Sequence, residues 1–257
     1  MAKIIAVTNQ KGGVGKTTSC INLGAELAKK YKTLVLDLDH QADATKVLSG
    51  DTYDFEMTVA DLFSNKRVTV EKSVLQAKSG DEPIKNLYFI PSHITLSRVI
   101  EQTLTRSHRE KILQKHLSSI KNDYDYILID CPPNLSVGVT NAMMVADLFL
   151  IPIDGGKFSL DGLSDLLDAI EEVKETSGFN FAVFRNEYAP QNKLMNEFLD
   201  EQMKVIKDSV LPAKVRRAEA IGQASVTAQP LWFYDKKSPA VKDYQSLAKQ
   251  VIKRVNK

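Results

Sequence analysis

Lys11-Gly12-Gly13-Val14-Gly15-Lys16-Thr17-Thr18 is the stretch that decides how this chain folds. Before it stands the apolar run Lys3-Ile4-Ile5-Ala6-Val7-Thr8, which reads as a β-strand. After it, Ile21, Ala25 and Ala28 share one face of a helical pattern. A glycine-rich turn between strand and helix aims several backbone N–H groups at one point, and the helix N-terminus adds partial positive charge there. The result is a cradle for a polyphosphate, with Gly12, Gly13, Val14, Gly15, Lys16, Thr17 and Thr18 as its lining. Within it Lys16 can reach the β- and γ-phosphates of ATP, and the Thr17 hydroxyl can ligate Mg²⁺. The first position departs from the ordinary P-loop: Gln10 stands where glycine is usual, and a second lysine, Lys11, opens the loop.

Outward from the loop, short apolar runs alternate with amphipathic segments. Residues 4–8, 33–37, 87–90, 126–130, 148–153, 181–184 and 209–211 are continuously apolar and read as buried parallel strands. Residues 94–120, 136–146, 159–176, 194–206 and 239–255 carry helical patterns. This alternation predicts an α/β fold, a single doubly wound, mostly parallel sheet with helices on both faces. Ligands of such sheets bind outside the carboxyl ends of the strands, where all the motifs fall. No repeat or domain boundary interrupts residues 1–257, so one ATPase domain is expected.

Composition sets further bounds. Hydrophobic residues at 43% and charged residues at 26% exclude a disordered chain. No run approaches the roughly 18 apolar residues of a membrane span, and the short apolar N-terminal stretch lacks signal-peptide shape. Two cysteines, Cys20 and Cys131, make neither a disulfide framework nor a metal quartet, so a cytoplasmic setting is expected. With a net charge of only +2, any nucleic-acid affinity must come from a local patch.

Phosphoryl transfer needs positioning, a metal and charge stabilisation more than covalent help. Asp130 ends the apolar strand Tyr126-Ile127-Leu128-Ile129, a usual place for a carboxylate that holds Mg²⁺ through water. Asp37 and Asp39 end the second strand on one face at period two, with Asp37 placed to contact metal-bound water. In isolation such residues would start turns or cap helices.

Lys11-Gly12-Gly13-Val14-Gly15-Lys16-Thr17-Thr18 resembles the deviant Walker A motif of the ParA/MinD ATPases. Leu36-Asp37-Leu38-Asp39-His40-Gln41 is similar to that family's second motif, and Tyr126 through Asp130 with Cys131-Pro132-Pro133 to its Walker B and switch II. Phe89-Ile90-Pro91-Ser92 and Tyr234-Asp235 with Ser238 and Tyr244 resemble the ParA branch. The resemblance covers most of the chain and is weakest over residues 50–86. It implies that Asp39 positions or activates the attacking water. It implies too that Lys11 reaches across a two-fold interface to the partner subunit's nucleotide, so that a homodimer forms in the ATP state. Arg185-Asn186 and Pro212 occupy places where relatives contact adenine, though both are also ordinary strand-end residues. His40 replaces the usual proline and reads as a partly exposed loop histidine; Lys157 either reaches nucleotide or a partner or is plain surface.

Lys214, Arg216 and Arg217, with Lys249, Lys253, Arg254 and Lys257, are the cations available to grip DNA phosphates without reading bases. The resemblance implies an ATP-bound dimer that binds DNA non-specifically, is nucleoid-associated, and is released when a cargo-bound, ParB-like adaptor stimulates otherwise slow hydrolysis. The chain starts almost at its ATPase strand, so no N-terminal helix-turn-helix extension is expected. The alternative is a MinD-like membrane-associated ATPase, since Leu247, Val251 and Val255 recur every four residues among basic side chains. That stripe carries no Trp or Phe and reads as a packed core face, so membrane binding is not expected. A reductase with an iron–sulfur cluster between subunits would require differently placed cysteines.

Overall fold

The computed structural model describes residues 1–64, 67–155 and 161–256. Lys157, Lys257 and the start of the helix expected from residue 159 lie outside the described residues. In chain order come β1 (Lys3–Val7), α1 (Lys16–Ala28), β2 (Thr33–Asp37), α2 (Asp43–Leu48), α3 (Val59–Ser64) and β3 (Leu75–Ser79). Then follow β4 (Glu82–Ile90), α4 (Leu96–Thr103), α5 (Ile112–Ile120), β5 (Tyr126–Asp130), α6 (Val137–Val145) and β6 (Leu148–Ile153). The remainder is α7 (Asp161–Lys174), β7 (Phe181–Tyr188), α8 (Lys193–Gln202), β8 (Val210–Arg216), α9 (Glu219–Val226), α10 (Leu231–Tyr234) and α11 (Pro239–Val255).

The strands form one sheet in the order β3-β4-β2-β5-β1-β6-β7-β8, parallel throughout except for the β3–β4 hairpin. Strands β2, β5 and β6 are buried along their whole length because helices cover both faces, and this is why they read as unbroken apolar runs. One core packs α3 to α8 on one face through Leu62, Phe63, Leu117, Met143, Leu166 and Leu199. The other packs α1 and α11 through Leu23, Leu27, Tyr244, Leu247 and Val251. The expected doubly wound sheet is therefore present.

Beyond the short helices α2, α3, α9 and α10 and a β4 that begins at Glu82, the structure differs from the sequence reading at β3, at residues 94–120 and at the ends of β7 and β8. Strand β3 pairs antiparallel with β4; its alternating, partly exposed pattern hid it among the polar residues before β4. The segment 94–120 is not one helix, because His108 takes a left-handed φ of 57° and separates α4 from α5. Strands β7 and β8 each continue several residues beyond their expected ends.

Candidate active site

The loop after β1 is built around two left-handed glycines, Gly13 (φ +76°) and Gly15 (φ +81°). At Gly15 a side chain is excluded twice, by φ and because a Cβ would stand 2.2 Å from the Asn186 Nδ2. That Nδ2 donates to the Val14 carbonyl at 2.8 Å, so β7 fixes the loop from behind. Helix α1 starts at Lys16 with no acidic side chain in its first turn, which leaves its positive end uncompensated for an anion. The Lys16 ammonium, largely buried, donates to the Lys11 carbonyl at 2.8 Å and so spans the loop. Burial lowers its pKa, and the nearby Asp130 opposes that shift.

Asp37 and Asp130 face each other across the β2–β5 register, both buried. The Asp37 carboxylate accepts from the Thr45 N–H (2.8 Å), the Thr45 hydroxyl (2.6 Å) and the Asp39 N–H (3.1 Å). Burial pushes it up to about 7 despite those bonds. Both oxygens of Asp130 are buried without a hydrogen-bond partner. The Thr17 side chain lies beside this carboxylate, outside hydrogen-bond geometry. Burial, then the neighbouring Asp37, raise the Asp130 pKa well above the usual carboxylate range. A buried carboxylate with two orphaned oxygens beside a hydroxyl and a lysine suits a divalent cation. Mg²⁺ takes one or two carboxylates together with substrate phosphates rather than an all-protein cage. Accordingly, no cluster of three or more His, Cys, Asp or Glu side chains surrounds a point among the described residues.

Asp39, past the end of β2, is partly exposed; its Oδ1 accepts from the Gln41 N–H at 3.0 Å and lies 3.6 Å from His40 Nδ1. His40 is a half-exposed loop residue, as expected. Sequence reasoning missed Thr45. Its hydroxyl, besides donating to Asp37, accepts the Ser92 N–H at 2.8 Å and thus ties α2 to the end of β4. A threonine eight residues after Asp37 carried no motif of its own.

Lys11 stands at the loop's other edge. Its ammonium pairs in cis with both oxygens of Asp154, at 2.7 and 2.8 Å. Asn9 accepts the Lys11 N–H and donates to the Pro152 carbonyl, so the loop leans on the end of β6.

The base side departs from expectation at two residues. Because β7 runs on to Tyr188, Arg185 and Asn186 lie within it and point to opposite faces. Asn186 joins the loop, whereas Arg185 is 2% exposed and bonds Asp200 (2.9 Å) and Asn196 (2.6 Å) of α8. Pro212 lies inside β8, four residues before its end. It is tolerated there because β8 is the sheet's edge, where a missing N–H breaks no ladder. A pocket of about 270 Å³ beside the loop is instead lined by Gly15, Thr18, Asn186, Arg217, Ile221 and Tyr244, among others. The first turn of α1, β7 and the β8–α9 connection thus meet where a nucleoside would extend from the phosphate cradle.

A family model described as an AAA domain matches residues 2–183. The chromosome-partitioning ATPase Soj of Treponema pallidum is 35% identical over 260 residues, covering 99% of this chain and 98% of that protein. The sporulation initiation inhibitor protein Soj of Bacillus subtilis is 33% identical, covering 98% of each. The chain belongs to the Soj/ParA family of P-loop ATPases. A plasmid partition protein of Borrelia burgdorferi bound to AMPPNP shares the fold with a TM-score of 0.82 at 24% identity, covering 98% of this chain and 99% of that one.

For this Soj/ParA chain, the cations considered for DNA separate into two groups. Arg216 is chelated by Asp243 at 2.6 and 2.9 Å, and Arg254 bonds Asn180, Phe181, Asp208 and Ser209. The Arg254 guanidinium is held by contacts within the molecule, contrary to the sequence reading, whereas Arg216 remains exposed at the surface with its pair to Asp243. Lys214 is half-buried with its ammonium 4.6 Å from the Tyr188 ring centre. Arg217, Lys249 and Lys253 are exposed. The apolar stripe of α11, Leu247, Val251 and Val255, is buried in the core. Among the described residues no helix is long and apolar enough to cross a membrane.

Proposed function

We propose that this Soj/ParA-family ATPase positions a cargo through cycles of ATP-dependent dimerisation on DNA. The observation that carries the reading is the convergence of Lys16, Thr17, Asp37 and Asp130 on one buried point beneath a loop that also bears Lys11. Gly12 through Thr18 hold the phosphates of ATP, and Lys16 exchanges the Lys11 carbonyl for the β- and γ-phosphates. Thr17, Asp130 and Asp37 would hold Mg²⁺, which would supply charge neutralisation for the transferred phosphate. Asp39 orients the attacking water. Asn186, Arg217 and Ile221 border the nucleoside.

Lys11 leaves Asp154 and crosses to the partner subunit's nucleotide, a cation supplied in trans like an arginine finger. ADP offers one phosphate fewer, so the dimer depends on ATP. The dimer binds DNA without sequence preference through Arg217, Lys249 and Lys253, placing the protein in the cytoplasm on the nucleoid. A cargo-bound, ParB-like adaptor stimulates the slow hydrolysis and releases it. The buried stripe of α11 argues against the MinD-like membrane alternative.

The test is anisotropy of a labelled random-sequence duplex titrated with protein in ATP or ADP. Binding in ATP only, lost in Lys16→Ala and weakened by added salt, is expected. Equal binding in both nucleotides, or none in either, sinks the reading.

A further inference from the structure

Helix α2 begins without a side-chain cap. Its N-cap residue, Ala42, has no side-chain oxygen and takes a left-handed φ of 56°. The Thr45 N–H, in the first turn, is therefore a donor that the helix itself cannot satisfy. Asp37 supplies the acceptor from the end of β2: its Oδ2 takes that N–H at 2.8 Å. The same oxygen takes the Thr45 hydroxyl at 2.6 Å. A hydroxyl has one hydrogen and two lone pairs, and the Ser92 N–H fills a lone pair here at 2.8 Å, so the hydrogen is committed to Asp37. Ser92 lies two residues beyond β4, whose Ile90 is in register with Leu36 of β2, so its N–H is placed by the sheet. Thr45, Asp37 and Ser92 are all buried, and water does not compete for these bonds. The Asp37 carboxylate is thus gripped from two elements, α2 and β4. Its other oxygen faces the turn after β2 and accepts the Asp39 N–H at 3.1 Å. Asp39 in turn offers its carbonyl to the Ala42 N–H (3.0 Å) and its Oδ1 to the Gln41 N–H (3.0 Å). A left-handed alanine in this turn persists only where its surroundings fix it.

We infer that Thr45 is a positioning residue for ATP hydrolysis: its hydroxyl fixes the rotation of the Asp37 carboxylate and, through the other carboxylate oxygen, the backbone of Asp39. Two separate services meet in this residue. The backbone N–H secures the start of α2 and survives replacement of the side chain; the hydroxyl alone ties Asp37 to the end of β4. Without the hydroxyl, Oδ2 keeps one donor, the buried Ser92 N–H loses its acceptor, and the carboxylate is free to turn about its Cβ–Cγ bond. Turning moves the oxygen that anchors Asp39. Groups that orient a metal-holding carboxylate act on metal affinity as well as on turnover. Thr45 acts through Asp37 and Asp39 rather than on the reacting atoms, since its hydroxyl is already engaged on both sides. This role rests on the function proposed above, in which Asp37 helps to hold Mg²⁺ and Asp39 orients the attacking water.

Thr45→Val keeps the branched shape and the backbone donor and deletes the hydroxyl. The probe is a fluorescent ATP analogue, titrated with protein at graded Mg²⁺. In Thr45→Val the Mg²⁺ concentration that half-saturates the gain in binding should rise about tenfold. Turnover should fall about tenfold or more in kcat, with KM for ATP changed by less than about twofold. Affinity for the analogue in chelator should match wild type, because the phosphate loop is untouched. Thr45→Ser, which restores the donor, should return the Mg²⁺ half-point and kcat to within about twofold of wild type. Should Thr45→Val fail to fold, Thr45→Cys takes its place; its weak S–H donor should shift both quantities in the same direction. An unchanged Mg²⁺ half-point in the folded variant overturns the inference even if turnover falls, because a smaller active fraction lowers kcat without moving that half-point. Thr45→Ser as impaired as Thr45→Val also overturns it, since packing of the methyl group would then be the residue's role. A wild type whose binding ignores Mg²⁺ overturns the proposed function and this role with it. A Mg²⁺-dependent wild type matched by Thr45→Val overturns this role alone.

Discussion

Asp37 and Asp130 are opposed, buried carboxylates with unequal support, three hydrogen bonds against none. Asp37 titrates at about 7 in the fold against an ordinary 3.8, so between those values the folded chain keeps a proton that the unfolded chain has lost. Stability without Mg²⁺ and nucleotide should therefore fall as pH rises from about 4 to about 7. Thermal melts in chelator across that range check it, and a flat or rising profile removes the buried-charge account. Asp130→Asn replaces a buried carboxyl whose two oxygens have no hydrogen-bond partner. We expect it to abolish ATP turnover while raising the Tm of the ligand-free protein at pH 8 by about 2–4 °C or more. A lowered Tm would mean that the carboxylate is supported in a way the geometry does not contain. The aspartates were legible as strand-end residues beside a phosphate loop, but Thr45 and its bridge from Asp37 to Ser92 were not. That bridge exists only once α2 folds back over β2.

Helix α11 shows both success and failure of periodic reading. Its four-residue spacing assigned Leu247, Val251 and Val255 to a buried face and left Lys249 and Lys253 outside. The same reading counted Arg254 among the free cations, whereas it clamps α11 to the start of β7 and the chain before β8. Arg254→Ala should cost about 1–3 kcal/mol in denaturant unfolding and leave DNA affinity unchanged. Lys249→Ala with Lys253→Ala should do the reverse, preserving stability and reducing the salt dependence of duplex binding by about two ion equivalents. If Arg254→Ala alone lost DNA binding at full stability, its internal bonds would not be its role. Strands β7 and β8 were ended too early because polar residues and a proline interrupt their apolar runs. The proline stands in β8, an edge strand where a missing N–H breaks no ladder, while the polar residues of β7 find partners in the phosphate loop and α8.

Lys11 links the fold to assembly. In the single chain its ammonium rests on Asp154, across the loop from Lys16. A partly exposed pair of this kind contributes about 0.2–1 kcal/mol. Asp154→Asn should therefore favour the ATP-dependent dimer modestly, by about 1.5- to 5-fold in midpoint concentration by light scattering. A weakened dimer would show that Asp154 acts within the interface rather than against it. No local pattern could have paired residues 143 positions apart; the contact follows from β1 and β6 being neighbours in the sheet.

By itself the sequence determined the phosphate loop, the alternation of buried strands and helices, and the acidic residues at strand ends, because each depends on neighbours within a few positions. The tertiary structure decided which of those groups meet. Period two put Arg185 and Asn186 on opposite faces of β7, and the sheet order set Asp37 against Asp130. Chain packing tied Arg254 to the start of β7 and the chain before β8, and paired Arg216 with Asp243 at the surface. Charge and hydrophobicity are local properties, but whether a charge is already partnered depends on residues that only folding brings near.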